Sequence, residues 1–260
     1  MPNNTLQGLS VVVTRPAHQA VMFQQQLLQH GGRVLAYPAI AVQACTNLHQ
    51  ITARLAQLPD YDAAIFISSN AVQFGLALLD TSQRAQLQQL TLGAIGSKTA
   101  RSLQAAGLRP VWVPATGFTS EDFLAMPAVQ HLTNRRIVIF RGEGGRELLA
   151  DTLRQRGASV DYLDVYQRIC PKNDISELKH HHDNQQLDII AITSSEGLLN
   201  LLTLLGNPEW IKTVPLLVGS QRMATTARKA GFTGRMVIAD NPGDEAMFAA
   251  LSQWAQEFSR

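Results

Sequence analysis

Short runs of branched apolar residues alternate along this chain with longer stretches in which apolar positions return every third or fourth residue. The runs predict strands near 10–14, 33–37, 63–68, 91–95 and 110–113, and again near 136–140, 159–163, 187–193, 214–218 and 235–239. They are rich in Val and Ile and apolar at successive positions, the pattern of parallel strands covered on both faces. The longer stretches predict helices. Phe23, Leu27 and Leu28 form one face of residues 17–30, which Gly31-Gly32 stops. Residues 147–155 form a second. Met247, Leu251, Trp254 and Phe258 recur at helical spacing near the end, and Thr119 with Asp122 reads as a capping box ahead of Phe123-Leu124. Regular alternation of strand and helix implies an α/β fold built from two doubly wound, flavodoxin-like parallel sheets. In such sheets ligands collect at the carboxyl ends of the strands.

The pattern also repeats. L-S-V-V-V-T-R-P, starting at Leu9, lies over R-R-I-V-I-F-R-G, starting at Arg135. Arg15 and Arg141 are separated by the same number of residues as Gly31 and Gly157, Asp62 and Asp188, and Ser69 and Ser195. A third block, L-G-A-I-G-S-K-T-A-R-S-L, parallels L-L-V-G-S-Q-R-M-A-T-T-A-R with a slip of three residues. Three matched blocks in one order mark a duplicated unit.

Composition narrows the function classes. With 260 residues, 45% hydrophobic and 16% charged, the chain has material for two ordinary globular domains. Lys and Arg number 22 against 20 Asp and Glu, and they are scattered, so nucleic acid is not an expected partner. No apolar run approaches the roughly 20 residues that span a bilayer, and the N-terminus lacks the charged and apolar regions of a signal peptide. Cys45 and Cys170 stand alone, without disulfide or metal spacing. A cytoplasmic, membrane-free protein is expected.

Candidate chemistry gathers at the strand ends. Thr14-Arg15, Ser68-Ser69-Asn70, Gly96-Ser97-Lys98-Thr99, Arg141-Gly142 with Gly144, Ser194-Ser195 and Gly219-Ser220 each end a strand and lead into a helix. Each offers small side chains, free backbone N–H groups and the positive end of a helix, which together suit an anion. The same Ser and Thr residues also serve as helix N-caps, each worth about 1 kcal/mol, and the sequence leaves both roles open. The glycine-rich turn after Arg141 lacks the third glycine of a dinucleotide loop, and no phosphate-loop motif of the P-loop type occurs. Glu143 and Glu147 would repel a polyphosphate. His180-His181-His182 with Asp183 reads as a solvated loop rather than a metal site. Neither cysteine has a recognisable activating partner, and Ser69 and Ser195 lack a nucleophile elbow. Tyr166 follows the second strand of the second repeat. It suits either a packing role or hydrogen-bond donation to a leaving oxygen.

Taken in order, several stretches resemble the uroporphyrinogen-III synthase family, in its bacterial branch. They are V-V-T-R-P, Y-P-A-I, I-F-I-S-S-N-A-V, A-I-G-S-K-T-A, T-S-E-D-F-L, R-G-E-G-G-R-E-L, V-Y-Q-R and V-G-S-Q-R-M-A, and they cover nearly the whole chain. The resemblance implies an enzyme that closes linear hydroxymethylbilane into uroporphyrinogen III, inverting the last pyrrole ring, with no metal or organic cofactor. That substrate carries eight carboxylates, so the glycine-rich corner becomes a carboxylate cradle. The implied domain map places residues 1–36 and 170–260 in one domain and 43–163 in the other, with 37–42 and 164–169 as a two-stranded hinge. Tyr166 matches the family tyrosine thought to assist hydroxide departure and is the candidate catalytic residue. Thr99 matches a threonine of the family's cleft. Where some relatives carry threonine after the late glycine, this chain has Gln221-Arg222. The implied partner is the bilane itself, with room for a transient contact with the enzyme that makes it, and a monomer is expected. Two rival readings are a non-catalytic two-lobed binding protein for a small anion and a flavodoxin-like electron carrier.

Overall fold

A computed structural model describes residues 5–258; the side chain of Phe258 lies outside the described residues. The chain divides into two compact units, Met1–Ala41 with Ile169–Arg260, and Val42–Arg168. The first unit begins with β1 (Ser10–Val13), α1 (Ala17–Gln29) and β2 (Arg33–Ala36). The second unit follows with β3 (Ala41–Ala44), α2 (Leu48–Leu55), β4 (Ala63–Phe66), α3 (Ser69–Ala77), α4 (Thr81–Gln89), β5 (Thr91–Ala94), α5 (Ser97–Ala105), α6 (Ser120–Leu124), β6 (Arg136–Gly142), α7 (Leu148–Gln155) and β7 (Ser159–Ile169). The chain then completes the first unit with α8 (Ile175–Asp183), β8 (Ile189–Ile192), α9 (Ser195–Leu205), α10 (Glu209–Thr213), β9 (Leu216–Val218), α11 (Gln221–Lys229), β10 (Met236–Ile238) and α12 (Asp244–Phe258).

The sheet of the first unit has the order β10-β9-β8-β1-β2, and every neighbouring pair is parallel. The sheet of the second is β3-β7-β6-β4-β5, in which β7–β6, β6–β4 and β4–β5 pair in parallel. Each sheet therefore joins the first two strands of one repeat to later strands of the other. The central strands β1, β4 and β8 are buried at every position. Alternate side chains feed opposite layers. Val12, Ile190 and Ile192 pack with α9 and α11, whereas Val11, Val13, Ile189 and Ala191 pack with α1 and α12. In the second unit Ala64, Phe66, Val138 and Phe140 face α3 and α5, and Ile65, Ile137 and Ile139 face α6 and α7. Two-sided burial is what the uninterrupted apolar runs require. The duplication persists in fine detail: Gly31 after α1 and Gly157 after α7 both take positive φ, 83° and 92°, a conformation open to glycine and costly for side chains with a Cβ.

Two local expectations are corrected and one strand is added. The strand expected at 110–113 is reduced to one bridge, Gly93↔Trp112, because Pro110 and Pro114 flank it and cannot donate to a ladder. A further strand, β3, lies hydrogen-bonded beside β7 in the second sheet. His180, His181 and His182 are not in a loop but form the last turn of α8. Asp174 caps that helix by accepting from the Ser176 N–H, Leu178 is buried beneath it, and histidines suit its negative end. His182 packs against Trp210 at 4.4 Å between ring centres. The Thr119–Asp122 capping box forms as read, with both reciprocal bonds present.

Candidate functional site

In the second unit the carboxyl ends of β7, β6, β4 and β5 stand side by side, and three predicted residues meet there. After Arg141 the register of β6 against β7 skips one residue, which brings Gly142 opposite Tyr166. The tyrosine ring packs against Gly142: a Cβ there would fall 2.5 Å from Tyr166 Cε2 and 2.6 Å from Cζ. Phe74 stands beside the ring, 6.0 Å between centres, and Tyr166 is 2% exposed. Its hydroxyl lies 3.2 Å from Ser68 Oγ, which also accepts the Ala71 N–H at 3.1 Å as the N-cap of α3. Beside it, Ser69 Oγ is buried without a hydrogen-bond partner among the described residues, and Asn70 is half-buried. The strand order places this cluster at the boundary between β6 and β4, where crossovers depart in opposite directions and ligands characteristically enter doubly wound sheets.

Arg141 is already engaged by protein groups. Its Nε donates to Asp164 at 2.8 Å, one terminal nitrogen donates to Glu147 at 2.9 Å, and the guanidinium lies 3.4 Å from the centre of the Tyr162 ring. Burial works against the charge on Arg141, but the bonds to Glu147 and Asp164 outweigh it and raise its pKa. Glu147 also accepts the Tyr162 hydroxyl at 2.7 Å. Burial first, and that bond second, push the Tyr162 phenol up to about 12. A phenol with a pKa raised above its usual 10.0 contributes stability that is complete below pH 10 and lost as pH rises through about 12. Tyrosinate absorbance should therefore show a late-titrating group that disappears in Tyr162→Phe. Ionisation of every tyrosine near pH 10 would contradict the clamp. The sequence offers Arg141 as a candidate anion ligand, whereas Asp164, Glu147 and Tyr162 become its holders only through the pairing of β6 with β7 and the start of α7. The spacing of Arg141 to Glu147 carried that signal only weakly.

At the next strand, Gly96 is the N-cap of α5 and owes its lack of a side chain to Phe118, whose Cβ would lie 2.7 Å from an added Cβ. Ser97 and Lys98 are exposed, Thr99 is buried, and Lys98 forms no ion pair among the described residues. Phe118 itself is 79% exposed, although its backbone N–H is fixed by Asp122 at 3.0 Å. Gly144 has φ +74° with nothing near a would-be Cβ, so conformation alone accounts for that glycine.

The first unit repeats the edge with different fittings. Thr14 is buried and donates to the Ala191 carbonyl at 2.8 Å. Arg15 is bound by the Asp244 carboxylate and the Pro242 carbonyl. Ser194 and Ser220 cap α9 and α11 by accepting the Gly197 and Met223 N–H groups, and Ser195 opens α9. Gly219 makes way for Pro242 as Gly96 does for Phe118. The corner where unit 2 holds Tyr166 against Ser68 is lined here by Ile40, whose Cδ1 would lie 3.7 Å from a Cβ on Gly197.

Unit 2 also contains a cleft of about 600 Å³ lined by Cys45, Asn47, His49, Arg54, Glu143 and Tyr162 among others. It does not include Ser68, Gly142 or Tyr166. Burial, with Glu143 and Asp164 nearby, raises the pKa of the Cys45 thiol, which disfavours a nucleophilic thiolate. No described helix is long and apolar enough to cross a membrane.

The model of a family described as uroporphyrinogen-III synthase HemD matches residues 22–249. Uroporphyrinogen-III synthase of Escherichia coli (strain K12) is 31% identical over 246 residues, covering 94% of this chain and 100% of that one. The protein of the same name from Salmonella typhimurium is 32% identical over 248 residues, covering 94% and 100%. The crystal structure of uroporphyrinogen-III synthetase from Helicobacter pylori 26695 aligns with a TM-score of 0.63 at 18% identity, over 94% of this chain and 99% of that chain, a likeness of fold. The match therefore extends through both units and their duplicated strand ends, and this chain belongs to the uroporphyrinogen-III synthase family of enzymes in porphyrin and haem biosynthesis.

Proposed function

We propose that the substrate is hydroxymethylbilane and that the reaction closes it to uroporphyrinogen III with inversion of the last pyrrole ring. The observation that carries this reading is the hydroxyl pair of buried Tyr166 with half-buried Ser68 at the carboxyl edge of the unit 2 sheet. The terminal hydroxymethyl group loses its oxygen as the electron-rich pyrrole pushes a lone pair toward the carbon. A proton from the hydroxyl pair lets that oxygen leave as water. The substituted carbon of the last ring attacks the resulting azafulvene, the spirocyclic product fragments, and the ring recloses inverted. Proximity governs the outcome, because the substituted carbon must reach the electrophile before the free one does.

Within unit 2 the substrate's carboxylates are met by the exposed Ser97-Lys98 corner and by the N-terminal N–H groups of α3 and α5. Arg15 and Arg141 contribute by holding the strand ends in shape, since their charges are already matched by carboxylates of their own unit. Family membership gives no support to the non-catalytic binding-protein reading.

The test supplies hydroxymethylbilane in buffer containing a chelator, oxidises the products to porphyrins and separates the isomers. Isomer III is expected in excess over isomer I. An unchanged I-to-III ratio relative to an enzyme-free control would refute the proposal.

A further inference from the structure

The hydroxyl pair has two protons and, among the described residues, one internal place to put one. Ser68 Oγ has two partners, the Ala71 N–H and the Tyr166 hydroxyl, and the Tyr166 hydroxyl has Ser68 alone. Whichever O–H donates to the other, the remaining proton is directed at something other than these neighbours. Exposure distinguishes the two residues. Tyr166 is 2% exposed, walled in by the Gly142 backbone and the Phe74 ring. Ser68 is half-buried at the start of α3, the outer member of the pair.

We propose that Ser68 is the immediate proton donor to the departing hydroxyl and that Tyr166 resupplies it from behind. This rests on the reading of the substrate given above. As the C–O bond breaks, with its electron pair leaving on oxygen and the pyrrole lone pair filling in behind, the Ser68 proton forms the new O–H bond of water. The Tyr166 proton passes to Ser68 Oγ, leaving a phenolate. The phenolate regains a proton when the reclosed ring loses its ring-carbon proton on rearomatisation, so the residues end as they began. The Ala71 N–H, fixed on Oγ, stabilises negative charge on that oxygen during the transfer. The repeat supports the assignment. Ser194 caps α9 just as Ser68 caps α3, but its neighbour in the corner is Ile40, so unit 1 has the cap without the relay.

Ser68→Gly, Tyr166→Phe and their double variant form the test, with Ser68→Thr as the conservative control. Glycine is a tolerated N-cap, so Ser68→Gly removes the hydroxyl without removing the helix start. Each single variant is expected to lower kcat about 100-fold with KM little changed, and the double variant to fall no further than the weaker single. Ser68→Thr retains most activity. The rate of the wild type should depend non-linearly on the deuterium fraction of the solvent, as two protons in flight require, and that dependence should become linear in Ser68→Gly. Thermal unfolding identifies a variant that has lost its fold, in which case Ser68→Thr and the isotope dependence decide. Wild-type kcat in Ser68→Gly, or losses that multiply in the double variant, would overturn the relay while leaving isomer III formation intact. Failure of the wild type to make isomer III would instead remove the substrate reading.

Discussion

Gly142→Ala should cost about 1–3 kcal/mol of stability and lower turnover about 100-fold. The added Cβ would sit 2.5 Å from Tyr166 Cε2, a separation the two groups cannot keep. Neither side can yield cheaply. Gly142 ends a strand paired on both sides, to β4 through Phe140 and to β7 through its own register partner. Tyr166 belongs to the buried cluster that includes Phe66, Phe140 and Val165, with the Phe74 ring beside it. The ring must therefore turn or slide, and its hydroxyl leaves Ser68, where the present 3.2 Å is already at the long end of a hydrogen bond. Denaturant unfolding and isomer assays measure the two effects separately. Gly75→Ala is the comparison: its Cβ would meet Phe140 Cδ1 at 2.7 Å, overpacking the same core with Phe140 and Phe66, not Tyr166, as its nearest neighbours. It should destabilise to a similar degree while the folded enzyme keeps its kcat. Equal loss of kcat in both variants would show that Gly142 matters only for packing.

Much of the candidate site's layout is legible because duplication exposes it. Arg15 with Arg141, and Ser68 with Ser194, occupy equivalent positions in the two repeats and also in the two sheets. Strand ends in a doubly wound sheet share one edge, so a residue's place in the repeat predicts its place at that edge. What each residue does there was less visible. Ser68, Ser194 and Ser220 are all N-caps, and nothing in the local sequence separates the one that also meets a tyrosine. That difference is set by a register skip between β6 and β7, which depends on tertiary pairing. The arginines look like anion ligands in sequence, yet they are held by Asp244, by Asp164 and by Glu147, partners chosen by the fold. The glycines have separate causes: Gly142 yields to the Tyr166 ring, Gly96 to Phe118 and Gly144 to a left-handed turn. A sequence motif shows that small residues are needed and leaves out which neighbour demands them.

Tyr166→Phe should reduce kcat about 100-fold, whereas Thr99→Ala should reduce it by less than about tenfold. A hundredfold corresponds to about 2.7 kcal/mol in the barrier, within the range of one positioned proton donor. The pyrrole's own electron push limits the loss, since the oxygen can still depart unaided at a lower rate. Phenylalanine fills the same space beside Gly142 and Phe74, so the fold is preserved and the missing group is the hydroxyl alone. Thr99 is also buried, in the first turn of α5, but among the described residues no hydroxyl pair is built around it; its loss removes at most one neutral hydrogen bond of about 0.5–1.5 kcal/mol. The product provides a further check. A proton donor changes how fast the electrophile forms, and the surrounding edge determines which carbon reaches it. Tyr166→Phe should therefore still release isomer III from whatever substrate it turns over, with isomer I rising only as spontaneous closure in solution overtakes the slowed enzyme. Raising enzyme concentration should restore the III-to-I ratio in that case. A ratio that stays low at high enzyme concentration would assign Tyr166 to folding the bilane rather than to releasing its oxygen, and a fully active variant would remove it from the reaction.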